Sequence, residues 1–344
     1  MGGTLPEPSY PHARYDSHAN SHAPDMNYLT QRLLTFPLVL LGVSLLVFFA
    51  IRLVPGDAII AMLGTEAGLL TDAQRSSLEA YFGLDQPIIV QYGRWLAGLF
   101  EGNFGISVTY GKPVLEVILA RFPLTLELAL LSMLISLAVG IPAGVFAATR
   151  ADRPSDLLVR LFAMLGQSTP SFVVGLVLIY FLSVTFRMLP AMGSFTPLFD
   201  DPIGNLSQML LPAITLGLSF AAAVTRISRS AMLDVLSDDY VRTARSKGAS
   251  QRDVVWRHAL PNALIPVVTL SGVEFGYLLG GAVIVEQIFA LPGLGRLTLD
   301  AISQRDYPLV QGAVLFIALN FLVVNLLVDL AYAALDPRIR LGGK

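Results

Sequence analysis

Long apolar runs separated by short polar connections set the pattern of this chain. Uncharged stretches occupy residues 33–51, 128–149, 161–186, 209–224 and 307–328, and a sixth, 264–285, contains one acid, Glu274. A helix needs about 20 mostly apolar residues to cross a hydrocarbon core of about 30 Å, at about 1.5 Å per residue. The runs lack the period-two alternation of barrel strands, and within hydrocarbon a helix pairs all its own backbone groups. The expected fold is all-α: a polytopic membrane protein with six transmembrane helices.

Composition points the same way: 54% of the 344 residues are hydrophobic, 14% are charged, and the mean hydropathy is +0.65, against about 25% charged residues in soluble proteins. A net charge of −2 gives no reason to expect nucleic acid, and the lack of cysteine excludes disulfides, thiolate metal sites and cysteine nucleophiles. Lys and Arg concentrate on alternate connections. Three arginines fall at 150–160, six plus Lys247 at 226–257, and Arg338, Arg340 and Lys344 follow the last span. The intervening connections hold Arg187, Arg296 and Arg305. Positive residues are retained on the cytoplasmic side, so both termini are expected there.

Residues 1–27, rich in Pro, Ser, Asn and His, read as a disordered cytoplasmic tail. His12, His18 and His22 share it, but their irregular spacing favours solvated side chains over a metal site. Met26 is a second candidate start, and the first span is too long for a signal peptide and lacks a cleavage site. The remainder, 28–344, reads as one transmembrane domain. It includes an extracytoplasmic segment at 55–123, with seven acids against four basic residues, and a cytoplasmic loop at 236–262.

Catalytic patterns are absent. No Gly-x4-Gly-Lys-Ser/Thr phosphate loop, HExxH or GxSxG occurs, so no catalytic residue, no metal site and no ATP hydrolysis are expected. Acids inside spans are costly and mark pathways or buried partners. Glu127, Glu286 and Asp329 lie near span ends, where a carboxylate reaches water or caps a helix. Glu274, mid-span among glycines, divides evenly between packing and the wall of a translocation path. Gly140, Pro142, Gly144, Gly166, Pro170, Gly276, Gly280 and Gly281 interrupt the spans and suit close packing and kinks.

The segment 240–261, YVRTARSKGASQRDVVWRHALP, is too rich in charge and helix formers to be a plain connection. Asp239 is the expected N-cap of a first short helix, Gly248 the turn, and Gln251 to Ala259 a second helix that Pro261 stops. Tyr240, Val241, Ala244, Val254, Val255 and Leu260 form an apolar face expected to dock a partner.

This loop resembles the signature of the inner-membrane permease subunits of binding-protein-dependent ABC importers: Glu-Ala-Ala, three residues, Gly, nine residues, Ile, one residue, Leu-Pro. Ala244, Gly248, Leu260 and Pro261 match, whereas Arg242, Thr243 and His258 replace the Glu, the first Ala and the Ile. FGLDQPIIVQYGRWL, RFPLTLELALLS, EQIFALPGLGRLTLDAISQRDYPLVQG and DLAYAALDPRIR are similar to the dipeptide, oligopeptide and nickel branch. The resemblance implies the type I ABC importer permease fold in a bacterial inner membrane. It also implies a second homologous permease, an extracytoplasmic substrate-binding protein, surrounding membrane lipid, and two cytosolic ATPases that bind ATP and Mg. Tyr240, Arg242, Thr243, Ala244, Lys247, Gly248, His258, Leu260 and Pro261 would then form the ATPase-coupling loop, and the cargo would be dipeptides or oligopeptides. Nickel chelate, glutathione, opine or sugar cargo, and an ion-coupled secondary transporter using Glu274, are the competing readings.

Overall fold

The computed structural model describes residues 28–53, 70–81, 85–190, 195–280 and 282–335. The tail 1–27 with its three histidines, residues 54–69 of the expected extracytoplasmic segment, and Gly281 lie outside the described residues. The elements in chain order are α1 (Tyr28–Leu53), α2 (Asp72–Tyr81), α3 (Ile88–Phe100), α4 (Val114–Thr149), α5 (Pro154–Ser168), α6 (Ser171–Thr185), α7 (Pro202–Ser237), α8 (Asp239–Ser246), α9 (Gln251–Leu279), α10 (Val283–Ile288), α11 (Leu294–Ser303) and α12 (Tyr307–Leu335). Among the described residues the extended structure is one isolated antiparallel bridge, Ile106 with Pro113. The fold is all-α. Among the described residues, helices α1, α4, α7, α9 and α12 are each long and apolar enough to cross a membrane, and α5 with α6, taken together as one bent pair, meets the same length and hydropathy and gives six if it counts as a span.

Three boundaries differ from those the hydropathy suggests. The run 161–186 is not one straight helix: α5 and α6 meet at 100°. Pro170 supplies no N–H and forces its predecessor out of the helical region, and Thr169 sits at φ −90°, ψ 122°. Helices α4 and α7 have 36 residues each, about 54 Å at 1.5 Å per residue. They overhang a core of about 30 Å at their polar ends, so residues 114–123 of the segment 55–123 belong to the same helix as the second apolar run. The fifth span, expected at 264–285, instead begins inside the polar loop at Gln251 and ends at Leu279, with α10 separate.

Pro261 therefore does not end a short helix. Val254–Ala259 take the wider π register, in which the Leu260 N–H donates to the Val255 carbonyl, and Pro261 follows within the first turn of the α-helical stretch. A proline lacks the donor for its i−4 carbonyl and its ring crowds that carbonyl. The widened turn accommodates both, and the helix passes through.

The core is built on α4 against α7. A Cβ on Gly144 would lie 2.5 Å from Ser228 Cβ and 2.7 Å from the Thr225 carbonyl, and one on Gly140 2.7 Å from Val224. Only hydrogen fits at this crossing, and backbones come close enough for dense dispersion contacts. Around it, Leu124, Leu128, Met209, Leu211 and Leu216 join Leu278, Leu279 and Phe289 in a buried cluster. Val114, Ile118, Leu294, Leu297 and Leu309 form a second, which ties the start of α4 to α11 and α12. A third, at the other end of α4, packs Val145, Ala148, Ala231 and Met232 against Val255, Ala259 and Ala263.

Candidate functional site

The third cluster carries the polar loop. Asp238, rather than Asp239, is the break between α7 and α8, with extended backbone at φ −64°, ψ 148°. Helix α8 then runs to Ser246, and Gly248 turns the chain at φ +87°, a conformation that costs other residues strain. The Gly248 N–H donates to the Arg245 carbonyl at 3.0 Å. Ser250 caps the next helix: the Asp253 N–H donates to its hydroxyl at 3.1 Å, and that hydroxyl donates to Asp253 Oδ2 at 2.6 Å.

The apolar side chains expected to dock a partner are largely spent within the chain. Val241 and Val254 are fully buried and Val255 nearly so, while Ala244 and Leu260 are partly covered. They fasten the loop to the ends of α4 and α7, because an amphipathic stretch buries its stripe against the nearest apolar surface. Tyr240 adds a polar tie. The Asn262 amide donates to its hydroxyl at 2.7 Å, and that hydroxyl donates to the His258 carbonyl at 3.2 Å. What remains outward is polar and basic: Arg242, Thr243, Arg245, Lys247, Gly248, Arg257 and His258, with Trp256 and Pro261 beside them. Arg242 approaches Asp239 at 3.3 Å and Arg257 approaches Asp253 at 3.9 Å. Among the described residues, Arg245 and Lys247 have no carboxylate partner. The predicted loop residues thus come together on one knob, which presents cationic groups from a stiff, anchored base.

Glu274 is not among them. It lies sixteen positions beyond His258 on α9, about 24 Å along the axis. There it is half-buried, without a hydrogen-bond or ion-pair partner among the described residues. Of the acids expected near span ends, Glu127 accepts from Asn205 Nδ2 at 3.2 Å. Glu286 is fully buried in a network beyond the far end of α9. The Thr125 hydroxyl donates to its Oε1 at 2.9 Å, the Arg296 N–H donates to its Oε2 at 2.8 Å, and the Leu294 N–H donates to Thr125 Oγ1 at 2.8 Å. Burial pushes the Glu286 carboxyl above the usual carboxylate range, against the lowering pull of those donors.

Two further polar sites escaped the sequence reading. Asp156, fully buried in the first turn of α5, receives Arg229 of α7 bidentately at 2.7 and 2.8 Å, with the Asp152 N–H at 3.1 Å. Asp306 accepts the Ser107 hydroxyl, the Thr109 N–H at 3.0 Å and the Leu309 N–H at 3.2 Å, which clips the 105–113 turn to α12. Both pairs join distant parts of the chain. The only sequence signal was the presence of charge beside apolar runs.

Family profiles match most of the chain: residues 140–341 match the binding-protein-dependent transport system inner membrane component, and residues 25–129 match the N-terminal part of such membrane components. A "Probable peptide ABC transporter permease protein y4tP" of Sinorhizobium fredii is 40% identical over 313 residues, 91% of this chain and 99% of its own length. The glutathione transport system permease protein GsiC of Salmonella paratyphi A is 42% identical over 316 residues, 92% of this chain and 99% of that protein. Among solved structures, the inward-facing MetNI methionine ABC transporter is similar in fold at 18% identity and a TM-score of 0.51, covering 64% of this chain and 97% of that one. The chain belongs to the inner-membrane permease components of binding-protein-dependent ABC transport systems.

Proposed function

We propose that this permease forms half of a translocation pathway for short peptides and couples to a cytosolic ATPase through the knob at 240–261. The observation that carries the coupling is geometric. A helix–Gly–helix knob with its apolar side fixed to α4 and α7 and its outer side basic joins α7 directly to α9. A push on it therefore reaches two spans without passing through a loose linker. Peptide cargo is supported by the names of the relatives, since glutathione is itself a tripeptide. The remainder of the reading is a second homologous permease, an extracytoplasmic binding protein, and two ATPases that hold ATP and Mg. Both termini lie on the cytoplasmic side, because Lys and Arg concentrate at 150–160, at 226–257, which holds most of the knob, and after the last span. Closure of the ATPases rocks the spans between inward- and outward-open states. Glu274 faces that pathway.

The test is Gly248→Pro in the reconstituted complex. Proline cannot take φ +87° and loses the N–H donated to Arg245. Binding-protein-stimulated uptake is expected to fall at least about tenfold, the loss produced by about 1.4 kcal/mol, with membrane insertion unchanged. Wild-type uptake in that variant, or uptake without any ATPase, would overturn the coupling role.

A further inference from the structure

The bend between α5 and α6 leaves a cleft against α7 whose two ends differ in chemistry. One end is a cavity of about 450 Å³ with an apolar wall that includes Val139, Phe162, Val174, Leu218 and Ala221. The other, about 300 Å³, is lined by Arg160, Arg226, Arg229, Gln167 and Ser230. Val159, Ala163, Ala222 and Thr225 line both, so the two adjoin. From Arg226 to Leu218 is eight residues of α7, about 12 Å along its axis.

The charge at the basic end is not internally balanced. Asp156 is the carboxylate in contact with these arginines, committed to Arg229 at 2.7 Å with Arg160 more distant at 3.6 Å, and Asp152 also attracts Arg229 from beyond contact distance. Arg226 has no carboxylate partner among the described residues and is exposed. Three guanidinium groups against two carboxylates leave the pocket with an excess of one positive charge, at the mouth of an apolar groove inside a helix bundle.

We propose that this cleft is a binding site for an anionic phospholipid of the inner leaflet, its phosphodiester on Arg226 and Arg160 and an acyl chain along the apolar end. The polarity runs in the direction such a lipid requires. The arginines sit on the side of the Arg-rich connections, at the cytoplasmic interface in the orientation proposed above, and the groove leads from them toward the middle of the bilayer. A guanidinium offers paired donors to phosphate oxygens, and basic pockets between spans on that side suit anionic headgroups. A transported peptide fits less well, because the apolar end provides no partners for its backbone amides.

The test uses the purified full chain in detergent with added phosphatidylglycerol or phosphatidylcholine, and retained lipid is counted by native mass spectrometry. This readout is independent of topology and of transport, so its failure is distinct from failure of the coupling reading. Arg229 is left intact because removing it would strand buried Asp156. Wild type is expected to retain one phosphatidylglycerol in preference to phosphatidylcholine. The preference should fall about fivefold in Arg226→Gln and about thirtyfold in Arg160→Gln/Arg226→Gln, and stay at the wild-type value in Arg94→Gln, an exposed arginine of α3 outside both sites. Ala163→Phe, which plugs the junction of the two cavities, should abolish retention while the protein stays monodisperse. Equal retention of both lipids, an unchanged preference in the double variant, or full retention in Ala163→Phe would overturn the proposal. So would arginine-dependent retention of a peptide with a free carboxylate in place of phosphatidylglycerol.

Discussion

Removing Arg229 should destabilise this protein more than any exposed charge can, and the geometry says by how much. Its guanidinium makes two short bonds, 2.7 and 2.8 Å, to a carboxylate that is fully buried. Each charge-assisted bond is worth about 1.5–3 kcal/mol, and breaking a buried pair from one side costs about 3–5 kcal/mol because a charge is left without its counter-charge. Arg229→Met is therefore expected to cost about 3–5 kcal/mol, with Arg160, 3.6 Å away and 46% exposed, offering little compensation. Arg160→Gln should itself cost less than about 1 kcal/mol, since solvent screens a half-exposed partner. Asp156→Leu also strands a charge, now on Arg229, and leaves the Asp152 N–H unmet, for about 3 kcal/mol. The double variant Asp156→Leu/Arg229→Met removes both charges and should cost about 3 kcal/mol or less, so the cycle shows a coupling of at least about 3 kcal/mol. Equilibrium unfolding of the purified chain in mixed detergent, followed by helicity, measures all four. Additive singles, or an Arg229→Met cost no greater than that of Arg160→Gln, would refute this account.

The Glu286 network should make stability depend on pH. Its carboxyl titrates higher folded than unfolded, so the folded state binds more protons, and stability falls as pH rises above the usual carboxylate range toward the folded value. Glu286→Gln should flatten that slope in unfolding measured across pH, and an unchanged slope would assign it elsewhere. Asp306→Ala removes the acceptor of Ser107, Thr109 and Leu309; a loss of about 2–4 kcal/mol and proteolytic nicking between 105 and 113 are expected. Resistance equal to wild type would show that the β-bridge holds the turn without it. Tyr240→Phe deletes two hydrogen bonds at the base of the knob, each worth about 0.5–1.5 kcal/mol. It should lower the uptake gained per ATP hydrolysed while overall unfolding shifts by no more than about 3 kcal/mol, and full coupling would confine the tie to a packing role.

What the sequence made legible follows from which forces leave local marks. Hydrocarbon demands long apolar stretches, so the spans stand out. The polar overhangs of α4 and α7 obey helix propensity rather than hydropathy, and their ends at Val114 and Ser237 leave no hydrophobic signal. Gly248 was readable because a turn with positive φ selects glycine. Pro170 was visible too, yet the apolar run continues through it, and hydropathy is blind to a backbone that turns by 100°. Val241, Val254 and Val255 illustrate a different limit. An amphipathic pattern says which face seeks cover, not whether the cover comes from the same chain. Asp156 and Arg229 lie seventy-three positions apart, and no local spacing links them.

Those same features bear on the coupling proposed for the knob. At its base, Val255 and Ala259 are locked against Val145, Ala148 and Met232, so displacement acts on α4 and α7 together. These two helices cannot slide over each other freely, because Gly140 and Gly144 seat Val224 and Ser228 at backbone distance. Arg229 on the same α7 surface holds Asp156 and the start of α5, so α5 moves with them as a third member of one stiff body. Compliance is left to places where the helical ladder is already broken: Asp238 before the knob and the bend at Thr169–Pro170. Under the coupling proposed above, a push at the basic face would be converted into rotation of the α4–α5–α7 body about these points. Stiffening the Asp238 break should, on the proposed coupling, block motion while leaving the α4–α7 contact intact.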